Sequence, residues 1–151
     1  MKILTYLLSV GLLFIIVDCK NDIIGPNQIL SIPDLYEYCE VSNTLCGQLV
    51  KHDGEIITVN GVINNSNIFP DELRLLIFNS ESPGMATQVT VISDSQSIFE
   101  KVFSIANDDG NNSYEVKIES RITSLDLPIN DTCHVGIILE LSSANDICFV
   151  E

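Results

Sequence analysis

Five cysteines and two histidines carry the side chains most able to do chemistry in this chain. Four of the cysteines, Cys39, Cys46, Cys133 and Cys148, fall in the body of the sequence. A thiolate zinc site wants close pairs such as C-x₂-C. Neither Cys39/Cys46 nor Cys133/Cys148 has that spacing, so no metal is expected. An even set of four reads instead as two disulfides. Three connectivities are open, and loop-closure entropy favours the short loops Cys39–Cys46 and Cys133–Cys148.

The histidines sit in less promising company. His52 lies in Lys51-His52-Asp53-Gly54, a turn, and reads as an exposed turn residue. His134 follows Cys133, but neighbours on a strand point to opposite faces, which separates a thiolate from its base. The acidic turn Asn107-Asp108-Asp109-Gly110 fails as a calcium loop, because aligning Gly110 with the loop glycine puts Ile105 and Val116 at ligand positions. G-x-S-x-G, P-loop and H-E-x-x-H patterns do not occur. A non-catalytic protein without a cofactor is the expectation. Asn64-Asn65-Ser66, Asn111-Asn112-Ser113 and Asn130-Asp131-Thr132 are formal glycosylation acceptors, all in expected turns.

The fifth cysteine has a different setting. Met1-Lys2 is followed by an uncharged, predominantly apolar stretch, Ile3 to Val17, and then Asp18-Cys19-Lys20-Asn21-Asp22. The stretch is shorter than the roughly 20 apolar residues a spanning helix needs, and it sits where export signals sit. This segment resembles the lipoprotein signal peptides of exported bacterial lipoproteins. Ile16 and Val17 match the aliphatic positions ahead of the cysteine, while Asp18 departs from the small residue usual there. Lys20-Asn21-Asp22 is similar to the export signal of Bacteroidetes-type surface lipoproteins. The resemblance implies cleavage of residues 1–18, acylation (palmitate) of Cys19, and attachment to the outer membrane or cell surface. A secreted or periplasmic protein is the alternative.

Composition narrows the partners. Seven basic against twenty-one acidic residues give a net charge of −14. Nucleic-acid affinity depends on neutralising phosphates with Lys and Arg, so no nucleic acid is expected. The same charge repels an anionic membrane, which leaves the acylated N-terminus as the route to a lipid bilayer.

The remaining chain supplies the frame. Residues 19–33 read as a tether, with Gly25-Pro26-Asn27 and Ile32-Pro33-Asp34. Residues 34–53 are an irregular or helical lead-in in which Asp34 is the expected cap, and residues 54–151 form the domain proper. Strands are expected over 55–63, with Gly61 marking a bend, over Leu73–Phe78 and over Gln88–Ile92. Ser97 and Glu100 make a capping-box pattern, and Ile98, Phe99, Val102, Phe103 and Ile105 follow at helical spacing. Tyr114–Ile122 alternates as a half-buried strand, with Tyr114, Val116, Ile118 and Ile122 on the inner face. Val135–Leu141 is the last full strand, and residues 147–150 supply an edge.

Three strands, one helix and two strands resemble the OB fold, over roughly residues 54–142. The resemblance implies a mainly β, five-stranded OB-like barrel with its helix between strands three and four. An open α+β antiparallel sheet is the competing architecture. The fold's usual oligonucleotide face would be built here from Arg74, Phe78, Gln88, Thr90 and Ile92, one cation and one aromatic, too little for base stacking along a strand. The chain therefore reads as a tethered envelope interaction module with a protein or glycan partner. A small-ligand-binding accessory or inhibitor domain is the alternative.

Overall fold

The computed structural model describes residues 29–79, 88–108, 113–129 and 131–150. Cys19, the apolar N-terminal stretch and residues 109–112 of the acidic turn lie outside them.

Secondary structure is present ahead of the expected lead-in. Ile29–Leu30 is a two-residue strand, β1, and Ile32–Tyr38 a helix, α1. Asp34 is not the cap: the Ser31 side chain caps α1 by accepting from the Asp34 amide, and its hydroxyl donates to the Asp34 carboxylate at 2.6 Å. Pro33 falls in the first turn, where a missing N–H costs nothing. Ile32, Leu35 and Cys39 are fully buried at i, i+3 and i+7, one stripe of a helix. These residues join the same core as the strands, so residues 29–53, the end of the expected tether and the lead-in, pack with the domain.

Seven further strands and a second helix follow, close to the expected order. They are β2 (Ile56–Ile63), the two-residue β3 (Ile68–Phe69), β4 (Arg74–Phe78), β5 (Gln88–Ile92), α2 (Gln96–Asp108), β6 (Tyr114–Ile129), β7 (Thr132–Glu140) and β8 (Ile147–Phe149). Period-2 burial drives the strands: Ile57, Val59 and Ile63 of β2 and Val116, Ile118 and Ile122 of β6 point inward. α2 begins one residue before Ser97, so the Ser97–Glu100 box does not form. Glu100 accepts from the Gln96 side chain instead. Its buried stripe is Ile98, Phe99, Val102 and Ala106, and Ile105 is turned partly to solvent.

The protein is mainly β, built on one mixed sheet. β2 pairs with β6 along its whole length and with β4 through Val62 and Phe78. β4 pairs with β5 and β6 with β7, both antiparallel, while β5 and β7 run parallel. That parallel contact, with a second between β1 and β2, rules out the all-antiparallel sheet. Gly61 sits where β4 crosses close to β2. A Cβ there would meet the Phe78 carbonyl oxygen at 3.1 Å and the Ile77 Cβ at 3.2 Å, so any larger residue would press the strands apart.

Candidate functional site

β6 is sixteen residues long and outruns its neighbours. β2 accompanies it as far as Arg121, opposite Ile56, and β7 meets β5 only over Ile138–Glu140. Residues 124–129 and 132–137 thus project as a two-stranded ribbon. Asp131 at its tip has φ 62°, the left-handed geometry of tight hairpin turns.

The inner, even-numbered side of the ribbon is held by the loop that follows α1. The Val50 amide donates to Ser124 Oγ at 2.9 Å, and the Gly47 amide to Asp126 Oδ2 at 3.0 Å. Both the amide and the hydroxyl of Ser124 donate to Asp53 Oδ1, at 2.6 and 2.5 Å. A disulfide joins Cys46 to Cys133 with Cα atoms 6.1 Å apart. Within the loop, the Gln48 amide closes a turn on the Leu45 carbonyl, and Gly47 takes φ 78°, as the third position of a type II turn requires. Between this loop and β7 lies an open groove of about 470 Å³ lined by Val41, Thr44, Leu45, Cys46, His134 and Val135.

This end of the molecule is apolar on its outside. Leu45 and Leu49 on the loop are 68% and 72% exposed, and Leu125, Leu127 and Ile129 on the outer face of the ribbon 36%, 37% and 49%. Leu127 folds across Gly136, where a Cβ would meet its Cδ1 at 3.0 Å.

A polar corner sits at the base of the ribbon. His52 takes φ 64°, and its Nδ1 lies 3.0 Å from Glu55 Oε1. Tyr38 stacks on the His52 ring and donates its hydroxyl to Glu55 Oε2 at 3.0 Å. The His52 hydrogen bond, with help from Tyr38, holds the Glu55 carboxyl below the usual glutamate range. Lys51 does the same for Glu40, through a contact at 2.5 Å. Next to the corner, burial pushes the Cys39 thiol up to about 11, and Glu55 and Asp53 push the same way.

The disulfide pairing corrects the short-loop expectation. Cys39 faces the core as a free thiol, and Cys46 reaches across 87 residues to Cys133. Neither Cys39–Cys46 nor Cys133–Cys148 forms, because α1 turns Cys39 inward while the loop lays Cys46 on β7. Cys148, on β8, is also disulfide-bonded, to a partner outside the described residues. Cys46 and Cys133 lie close to Asp126 as a set of three potential metal donors. Their sulfurs are spent on each other, which removes the thiolates a soft-metal site needs.

Other sequence candidates are scattered. His52 is a member of a bonded, stacked cluster and only a quarter exposed, not a free turn residue. His134 is opposite Leu127 and Cys133 opposite Pro128, so the two point to different faces. Arg74, the cation of the expected oligonucleotide face, is paired with Glu72 at 2.7 Å and lies over the Phe69 ring. The ribbon was missed from sequence. Its signal was the alternation of Leu125, Leu127 and Ile129 beyond Ile122, which is in phase with the outer rather than the inner face of β6.

The chain matches no protein-family model and no curated protein.

Proposed function

We propose that this protein is a non-catalytic, extracytoplasmic interaction module tethered to a membrane through acylated Cys19. The observation that carries the interaction reading is the stapled end of the molecule. A loop and a ribbon, fixed to each other by a disulfide and three hydrogen-bonded clamps, present Leu45, Leu49, Leu125, Leu127 and Ile129 to the outside. Exposed apolar side chains gathered at one end of a protein mark an interaction site. Export is supported by the Cys46–Cys133 disulfide, which persists in oxidising compartments. Among the described residues no helix is long and apolar enough to cross a membrane, so attachment rests on the N-terminal segment.

The architecture that fits this reading is an OB-like barrel. Its support is the cyclic order of pairings, β2 to β4 to β5 to β7 to β6 and back to β2, with α2 between β5 and β6. A protein or glycan partner is favoured over a small ligand in the barrel mouth, because α1 and α2 each bury a stripe in the core.

The test is membrane fractionation of the exported chain with intact-mass measurement. Wild type is expected in the membrane fraction with an acyl mass on Cys19, and Cys19→Ala in the soluble fraction. Retention of Cys19→Ala on the membrane points to an uncleaved anchor.

One observation favours a second reading. Cys148 is disulfide-bonded, Cys39 is free, and Cys46 and Cys133 are bonded to each other. By count Cys19 is the remaining cysteine. A Cys19–Cys148 bridge would consume the thiol that acylation uses and would make the protein secreted. The same mass measurement separates the two: an acylated Cys19 peptide, or a Cys19 peptide cross-linked to Cys148.

A further inference from the structure

We infer that the outer face of the ribbon, formed by Leu125, Leu127 and Ile129, lies against the lipid bilayer to which the chain is tethered. The inference rests on the tether reading above and divides the apolar end of the molecule: the outer ribbon face turns to the membrane, and Leu45 and Leu49 on the loop remain for the partner.

Three observations converge. The first is direction. β1 runs parallel to β2, with Ile29 opposite Thr58, so the chain enters β1 from the Ile56 end of β2. That is the end from which β6 continues past Arg121 into the ribbon. Tether and ribbon leave the domain on the same side.

The second is length. Residues 19–28 span at most about 35 Å at full extension. Thr58 is opposite Glu119, which places Ile129 ten residues further along β6, about 33 Å at strand rise. The full reach of these ten residues thus only matches the distance to the ribbon tip. Unless the tether is drawn out taut, the ribbon meets the surface and must lie on it.

The third is charge. In a chain of net charge −14, the outer face of the ribbon carries no carboxylate. Its β6 positions are Thr123, Leu125, Leu127 and Ile129, and their β7 partners are Ile138, Gly136, His134 and Thr132. Asp126 is turned to the other side and bonded to the Gly47 amide. The flanking carboxylates, Glu140 opposite Arg121 and Asp131 at the tip, stand at the two ends of this face, and the apolar stretch between them suits the interface of a bilayer.

The absence of tryptophan from the chain makes the test direct. Full-length protein carrying Ile129→Trp, or Leu125→Trp as a second ribbon reporter, is reconstituted with phosphatidylcholine vesicles containing brominated acyl chains. Ile105→Trp, on α2 at the far end of the sheet, is the control. Flotation with the vesicles reads the tether, and quenching reads the ribbon. The expected result is flotation of all three, with both ribbon reporters blue-shifted and losing most of their emission while Ile105→Trp keeps its own. Flotation with unquenched ribbon reporters, or with all three reporters quenched alike, overturns the inference and leaves the tether standing. Unquenched reporters together with cross-linked dimers would assign the face to a second copy. Failure to float removes the tether reading, and this inference with it.

Discussion

Tyr38 lies flat on His52, with ring centroids 3.9 Å apart and planes within 12°, and both side chains reach the same carboxylate, Glu55. The stack joins the last residue of α1 to the turn that leads into β2. It holds His52 in a left-handed backbone conformation, which costs a non-glycine residue of order 1 kcal/mol. Glu55 is held below the usual glutamate range by His52 and Tyr38. A depressed folded value contributes stability that is present above the ordinary glutamate value and fades as pH falls through the depressed one. Chemical denaturation of wild type and Glu55→Gln across pH 7 to 3 is expected to show wild type the more stable at neutral pH. The gap should close on acidification. A gap independent of pH would show that the hydrogen bonds to Glu55 do not depend on its charge.

Breaking the Cys46–Cys133 bridge should be the most costly change at the ribbon. The bonded residues are 87 apart in sequence, and chain-entropy arguments give about 3–4.5 kcal/mol for closing a loop of that size. Urea unfolding of Cys46→Ser/Cys133→Ser against wild type measures this, with a lower midpoint expected. Hydrogen exchange should rise first at the Gly47 and Val50 amides, which the ribbon now occupies.

Cys39 should be chemically silent. Its side chain is buried and its thiol is pushed to about 11, so little thiolate exists at neutral pH. A thiol reagent is expected to leave the Cys39 peptide unmodified in the native protein and to label it after unfolding. Because the unfolded thiol ionises near 9.0, the unfolded state loses its proton first. Stability should fall between pH 9 and 11, by at most about 2–3 kcal/mol, and Cys39→Ala should lack that alkaline loss.

Gly61→Ala should destabilise although the position is not left-handed. The added methyl would press on the Phe78 carbonyl and the Ile77 Cβ, for a net cost of about 1–2 kcal/mol from overpacking. Equal or higher stability in thermal unfolding would mean that β2 and β4 separate freely at this crossing.

Oligonucleotide binding is expected to be undetectable at physiological salt. Lys51 is paired with Glu40 and Arg74 with Glu72, and Arg121 donates to the Gly54 carbonyl. Those contacts leave few cations to release phosphate counterions. Salt-sensitive micromolar binding in a fluorescence titration would refute this.

The elements were legible where side chains alternate against a core. β2, β4, β5 and the first half of β6 were visible because Ile57, Val59, Leu75, Ile77, Val89, Val91, Val116 and Ile118 are buried at period 2. The outer half of β6 was not, because its apolar residues face outward and Pro128 interrupts the run. α1 was obscured by Pro33, although Ile32, Leu35 and Cys39 carried the helical period. Cysteine pairing was misjudged because loop entropy ranks only the unfolded chain. In the folded one, the direction in which α1 turns Cys39 decides.

One consequence of the unbroken β6 concerns phase. Strand faces swap with every single-residue step, so the residues that fix inward and outward at Val116 and Ile118 also fix them at Leu125 and Ile129, with no joint between. A one-residue insertion in the buried half would turn the projecting half over, sending Ser124 and Asp126 outward and the leucines onto the loop. A two-residue insertion would restore the faces but carry Cys133 out of reach of Cys46. The arm thus inherits its heading from the core, and the disulfide records the one register in which the two agree.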